Sequence, residues 1–427
     1  MNRRIEDFRD YLDQAHSVYH SVHLLTRQLE QAGYTRLREG ERWELVPGGR
    51  YYTVRGGSAF IAFRIPCQPV SGFLMSASHG DRPTFKVKEN GELKGKYIRL
   101  ATEKYGGMLI APWLDRPLSI AGRVLVETEN GVESRLVDID RDLLLIPNVA
   151  IHMNRKANEG VSWNPAVDTL PLAGSEKAEG KLQKMLEDAA GGTLLGHDLY
   201  LYIRQKSSVW GVEEEYLSAA ALDDLACAWC CTQGFLQAEE SGMLPVLCVL
   251  DSEEVGSASV QGADSTFLAD VLESVCASCK LDLQGMLRHS FMLSADNGHA
   301  LHPNHPEYAD PANAPVVGGG VVLKFNASQK YTTDGLSAAI FRKICQQAQV
   351  PVQSYYNRAD IPGGSTLGCI SLGHVSVLCA DIGLPQLAMH SCYETVGVRD
   401  VVWLEEAMTS YYGSTLKGDW DCAVQVL

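Results

Sequence analysis

The sequence predicts an α/β fold: a mixed-sheet domain interrupted by a β-rich insertion. Three observations carry this prediction. From residue 218 onward, short apolar runs alternate with segments of helical periodicity, the pattern of an α/β layer structure. The run Leu244–Leu250 is apolar throughout, as a strand covered on both faces requires. Between residues 89 and 217 the texture changes to short β-rich pieces separated by turn signals such as Asn130-Gly131. A chain of 427 residues exceeds what one core usually holds. The expected division is therefore a discontinuous α/β domain, 1–88 with 218–427, and an inserted domain, 89–217.

The elements follow in order. Residues 1–35 read as a helix, because Phe8, Tyr11, Leu12, Ala15, Tyr19, Val22 and Leu25 recur at helical spacing. Strands are expected at Tyr51–Val54, Ala59–Phe63 and Gly72–Ser78, the last ending abruptly at His79-Gly-Asp-Arg-Pro83. The insertion offers Lys96–Leu100, Gly122–Val126 and Ser134–Ile139, then a polar, Gly-rich piece over Ala173–Gly192. Beyond it, Leu217–Cys231 reads as helix, Leu244–Leu250 as strand and Ala263–Cys279 as helix. Phe291–Ser294 then reads as strand and Gly335–Ala348 as helix.

Composition narrows the function. With 45% hydrophobic and 21% charged residues the chain can bury a large core. A net charge of −15 argues against the basic footprint of a nucleic-acid binder. The N-terminus alternates charge and lacks the apolar core of a signal peptide. No run approaches the length of a membrane span. A soluble, cytoplasmic protein is expected, without nucleic-acid or membrane partners. The 12 cysteines, Cys422 among them, sit mostly in apolar runs and read as reduced, buried thiols. The pairs Cys227/Cys230 and Cys276/Cys279 have zinc-site spacing, but lie in helical segments without knuckle turns.

Several polar residues fall where strands end. They are His79 and Asp81, then Asp251, Glu253 and Glu254, then Asp296, then His390; Asp223 and Asp224 open a helix. In open α/β sheets ligands bind beyond the carboxyl ends of strands. Singly, each such residue reads as a helix cap, a turn former or a satisfied histidine. Together, two histidines and several carboxylates suit zinc, manganese or cobalt. An adjacent Glu-Glu pair can divide the work, one carboxylate binding metal and its neighbour acting as a base.

Over nearly its whole length the chain resembles the aspartyl aminopeptidase family of dizinc metallopeptidases. The motifs are His79-Gly-Asp81-Arg-Pro83, Trp113-Leu-Asp-Arg116 with Ala121-Gly-Arg-Val124, Ile146-Pro-Asn-Val-Ala-Ile-His152, Leu222-Asp-Asp224 and Asp251-Ser-Glu-Glu-Val-Gly-Ser257. Ser294-Ala-Asp296 with His302-Pro-Asn304, Gly364-Ser-Thr-Leu-Gly368 and Met389-His-Ser391 complete the series. The resemblance implies two Zn2+ per subunit, with Co2+ or Mn2+ as substitutes. His79 and Asp296 would be terminal ligands of one ion, Glu254 and His390 of the other, and Asp223 the bridge. Glu253 would be the general base, Asp81 would orient His79, and His152 would reach a neighbouring subunit's site. The family further implies short peptide substrates, acidic N-terminal residues among them, and a dimerising insertion that builds dodecamers.

Departures from the family pattern include Gly80 and Arg82 in the first motif, Ala221 and Asp224 around Leu222-Asp-Asp224, and Gly298-His299 before His302. Arg82 is expected near the site, His299 and His302 either lie near the substrate or shape their loop, and Lys324, Lys330 and Arg358 are candidate readers of an acidic side chain. The rival readings are a dimetal amidase or deacylase acting on small molecules, and an inert assembly protein that kept the fold.

Overall fold

The apolar runs become a nine-stranded mixed sheet in the computed structural model, which describes residues 2–420 and 423–427. Cys422 lies outside the described residues. The strands lie in the order Thr35–Leu37, Arg50–Arg55, Ala59–Arg64, Leu244–Leu250, Phe73–His79, Phe291–Ala295, Leu378–Gly383, Val321–Phe325 and Val352–Tyr356. Successive side chains of a strand point to opposite faces. Phe60 and Ala62 accordingly join one core and Ala59, Ile61 and Phe63 another. The first core is closed by helices Arg3–Leu12, Val18–Gln31, Leu222–Gln237, Gly335–Gln347 and Val398–Gly413. The second is closed by Phe267–Cys279 and Leu283–Arg288. Helices on both faces explain why the central strands are buried along their whole length.

A six-stranded antiparallel sheet gathers Gly131–Asp138, Leu118–Thr128, Leu194–Ile203, Thr84–Leu93, Tyr97–Tyr105 and Leu172–Ser175. It has its own core, around Phe85, Trp113, Leu118, Ile120, Val124 and Leu199. A five-stranded sheet joins Ser208–Trp210, Tyr216–Ala219, Glu394–Gly397, Pro385–Leu387 and Gly298–His299. The mixed α/β class expected from the sequence is the class observed. Among the described residues, no helix is long and apolar enough to cross a membrane.

Three local expectations change. The N-terminal periodicity is split into two helices, because Ser17 caps the second by accepting a hydrogen bond from the His20 N–H. Leu217–Cys231 is not helical throughout. Tyr216–Ala219 pairs with Glu394–Gly397, so a long-range partner overrides local periodicity, and the helix starts at Leu222. Ala173–Gly192 contains a helix, Lys181–Ala190, flanked by left-handed Gly180 and Gly191. It buries Leu186 and Ala190 and leaves its polar face to solvent, which hides it from a reading based on apolar content.

Strands Leu244–Leu250, Phe73–His79 and Phe291–Ala295 run parallel, side by side. Their carboxyl ends therefore open on one edge of the sheet, and the polar residues that follow them meet there.

Candidate metal centre

His79 is the last residue of its strand and is 1% exposed. Glu253 and Glu254 lie just past Leu250, in a short 3-10 turn entered through Ser252 at φ 65°. Asp296 directly follows Ala295. Asp223 arrives from a different direction, in the first turn of Leu222–Gln237, where Asp223 and Asp224 depart from helical geometry. His390 follows the strand Pro385–Leu387 of the five-stranded sheet, at φ 63°. The central sheet thus supplies part of the cluster, and the adjoining small sheet supplies the rest.

These groups converge. Asp223 Oδ1 lies 3.5 Å from His79 Nε2, and its other oxygen, Oδ2, lies 3.5 Å from His390 Nε2. Glu254 Oε2 is 3.5 Å from His390 Nε2, and Glu253 Oε2 is 4.0 Å from His79 Nε2. His79, Asp223 and Glu254 present ligand atoms within 4.8 Å of one another, as do His79, Asp224 and Asp296. Asp223 Oδ1, Asp224 Oδ1 and Glu254 Oε1 are buried without a hydrogen-bond partner in the protein. Buried oxygens without donors are costly, and a divalent cation answers that cost. The donor set of imidazole nitrogen and carboxylate oxygen fits zinc.

Charge crowding points the same way. Burial, joined by the negative charges of Asp296, Asp223 and Asp81, pushes the Glu253 carboxyl up to about 8, although His79 pulls against it. Burial first, then neighbouring carboxylates, raise Glu254 well above the ordinary range. Burial also raises Asp296, with Lys324 opposing it. Asp223 alone is lowered: burial opposes this, but the His390 and His79 imidazoles outweigh it. The cluster crowds buried carboxylates together, and a cation among them relieves their mutual repulsion.

One residue of the sequence reading, Asp81, and two absent from it, Glu394 and Asn297, hold this arrangement. Two buried carboxylates each gather a pair of backbone N–H groups. Asp81, expected near His79, accepts from the N–H of Glu253 at 3.1 Å and of Glu254 at 3.2 Å, and its Oδ1 lies 3.3 Å from His79 Nδ1. Glu394 accepts from the N–H of His390 at 2.7 Å and of Asp223 at 3.0 Å. Asn297 donates to the Leu222 carbonyl at 2.8 Å and accepts from the Leu384 N–H at 3.1 Å. Glu394 is near His390 in the chain but remote from Asp223, and Asn297, next to Asp296, bonds to the distant Leu222 and Leu384; no motif marked either residue.

The other candidates fall in varied places. His152 is exposed, on a turn in the loop that follows Ile146. No hydrogen bond or ion pair among the described residues joins it to the cluster. Arg82 turns away from the cluster, donating to Ser21 Oγ at 3.4 Å and sharing a cleft with Asp10, Asp13 and Tyr202. It stays near the site, close enough to feel the charges of Asp81 and Glu394, but does not face the ligand atoms. His299 is exposed, its ring 6.1 Å from Tyr355. His302 accepts from the Asn304 N–H at 3.2 Å and packs near His305, which makes it a shaper of its loop. Lys324 is 1% exposed and pairs with Asp296 Oδ2 at 3.4 Å, so it is committed inside the protein and is withdrawn as a reader of substrate. Lys330 is exposed and Arg358 half-buried.

Comparison with known proteins gives the same answer across the chain. Residues 11–412 match the family described as Aminopeptidase I zinc metalloprotease (M18). A probable M18 family aminopeptidase 2 of Clostridium acetobutylicum is 40% identical over 419 residues, covering 94% of this chain and 97% of that protein. Among solved structures, one of the Ape4 and Nbr1 complex aligns with a TM-score of 0.93 at 34% identity, covering 96% of this chain and 85% of that one. A structure of the S. cerevisiae mApe1 dodecamer aligns with a TM-score of 0.85 at 25% identity, covering 96% of this chain and 97% of that one.

Proposed function

The chain belongs to the M18 family of zinc metallo-aminopeptidases, and from that premise we propose that His79, Asp223, Glu254, Asp296 and His390 hold two zinc ions while Glu253 moves the proton. The observation that carries the reading is Asp223: each of its carboxylate oxygens faces a different histidine, as a bridge between two cations requires. Asp224 competes for that role by its proximity to His79 and Asp296, but its Oδ2 already accepts from the His79 N–H at 3.2 Å. It serves better as a brace for the strand end. His79 and Asp296 fall to one ion, and Glu254 and His390 to the other.

Bound zinc supplies a Lewis acid that polarises the scissile carbonyl and acidifies water. The protein's own groups do the rest. The Glu254 side chain is 3% exposed and the Glu253 side chain 16%, so Glu253 is the one open to the substrate side. Its carboxylate takes a proton from the attacking water and delivers it to the leaving amine. Asp81 fixes the N–H groups of both glutamates and faces the Nδ1 edge of His79, leaving His79 Nε2 turned toward Asp223. Family membership sets aside both the small-molecule amidase and the inert scaffold.

The proposal extends to assembly and setting. Residues 89–217 act as an inserted dimerisation domain, dimers build a dodecamer, and His152 crosses to a neighbouring subunit. The exposed position of His152 and the dodecameric S. cerevisiae relative support this. Substrates are short peptides, with exposed Lys330, and Arg358 beside its partner Asp360, as basic residues for an acidic N-terminal side chain. The cysteines of the described residues are free thiols, which suits the reducing cytoplasm.

A panel of N-terminal aminoacyl amides, assayed with zinc, cobalt or manganese, tests the reading together with Glu253→Gln. That variant is expected to keep its zinc and to lose about 10²–10⁴-fold in kcat, the range for a positioned general base. Full activity would refute the assignment of Glu253.

A further inference from the structure

We propose that the segment Tyr105–Leu109, at the end of strand Tyr97–Tyr105 of the six-stranded sheet, is a positioning strap that seats Glu254 and His390 and aligns Glu253 through Asp81. This rests on the reading of Glu254 and His390 as zinc ligands and Glu253 as the base. Consecutive residues of the segment touch three different members of the site. The Tyr105 hydroxyl donates to Asp81 Oδ2 at 2.8 Å, the same oxygen that accepts the Glu254 N–H, while Oδ1 accepts the Glu253 N–H. The phenol therefore fixes the rotation of the carboxylate that orients both glutamates. Its ring is held edge-on by Tyr200, 5.7 Å away on strand Leu194–Ile203 of the same sheet.

Gly106 has φ +77°, and a Cβ there would meet Glu254 Cβ at 3.1 Å, Glu254 Oε2 at 3.3 Å and Pro83 Cα at 3.3 Å. Glycine is what lets the chain pass this close over the ligand. The Gly107 carbonyl contacts His390 Nδ1. A carbonyl only accepts, so Nδ1 carries the hydrogen, and Nε2, facing Asp223 and Glu254, presents its lone pair to a metal. The Leu109 N–H then donates to the His390 carbonyl at 3.0 Å, fixing that residue's backbone as well. A mere connection between two sheets needs none of these contacts. The strap makes the β-rich sheet part of the site's geometry.

The test uses full-length, zinc-loaded protein. Tyr105→Phe is expected to lower kcat about 10–100-fold, the usual effect of losing a supporting hydrogen bond, with KM and zinc content unchanged. Gly106→Ala is expected to weaken zinc about 10–100-fold in competition with a chromogenic chelator, read without any activity measurement. His390→Ala in the same competition reports on the underlying assignment. If it binds zinc as the wild type does, the ligand reading falls and the strap with it. If His390→Ala loses zinc while either strap variant behaves as wild type, the strap alone is overturned. Tyr105→Phe is nearly isosteric, which keeps the proposal open to refutation where Gly106→Ala fails to fold.

Discussion

At the residue scale, Glu253 and Glu254 show how neighbours of identical chemistry diverge. Backbone direction turns Glu254 inward, where one oxygen meets His390 and the other is buried without a donor. Glu253 keeps partial exposure. Lys324 carries a second consequence. Its ammonium is fully buried against Asp296 Oδ2 and the Asn297 carbonyl, and the surrounding acids and Tyr331 raise its pKa despite burial. Lys324→Met leaves Asp296 uncompensated. In zinc-free protein this is expected to cost about 3–5 kcal/mol, the magnitude for breaking a buried pair from one side, read from urea unfolding. With zinc bound the deficit should shrink, because Asp296 then has a cation of its own. An equal deficit with and without zinc would remove Asp296 from the ligand set.

At the element scale, the strands were legible and several helix boundaries were not. Ala59–Arg64, Phe73–His79 and Leu244–Leu250 stand where their apolar runs lie, because a strand buried on both faces needs little beyond local composition. Residues 217–219 have helical periodicity yet pair as strand, because their partner, Glu394–Gly397, is remote in the chain. The helix Gly335–Gln347 carries a start signal that is purely local. Asp334 accepts from the Ser337 N–H at 2.8 Å, and the Ser337 hydroxyl accepts from the Asp334 N–H at 2.9 Å. Asp334→Ala is expected to lower stability by about 1 kcal/mol, as for loss of an N-cap. It should leave kcat and KM unchanged, since this cap serves the fold and not the cluster. A fall in kcat without loss of stability would contradict that separation.

At the scale of the whole molecule, three sheets meet at one site. The nine-stranded sheet presents His79, the Glu pair and Asp296, and the five-stranded sheet presents His390. The six-stranded sheet reaches in with Tyr105 and the glycines after it. In the proposed dodecamer His152 would extend this to a neighbouring subunit. His152→Ala is expected to reduce turnover without changing zinc content. Mixed oligomers of His152→Ala and Glu253→Gln subunits should recover activity, because an intact base in one subunit would then meet an intact His152 from another. Mixtures no more active than their separate components would place His152 outside a neighbour's site.

By itself the sequence determined the α/β class, the chemistry of the cluster and the family. Those depend on residue type, on apolar patterning and on motif order, all of which are local or ordinal properties. Only the tertiary structure decided which oxygen faces which histidine, that Lys324 is spent on Asp296 while Arg82 bonds to Ser21, and that Glu394, Asn297 and Tyr105 brace the cluster. Hydrogen-bond partners far apart in the chain leave no periodic trace in it, and the direction of a side chain is set by strand register and backbone torsion rather than by residue identity.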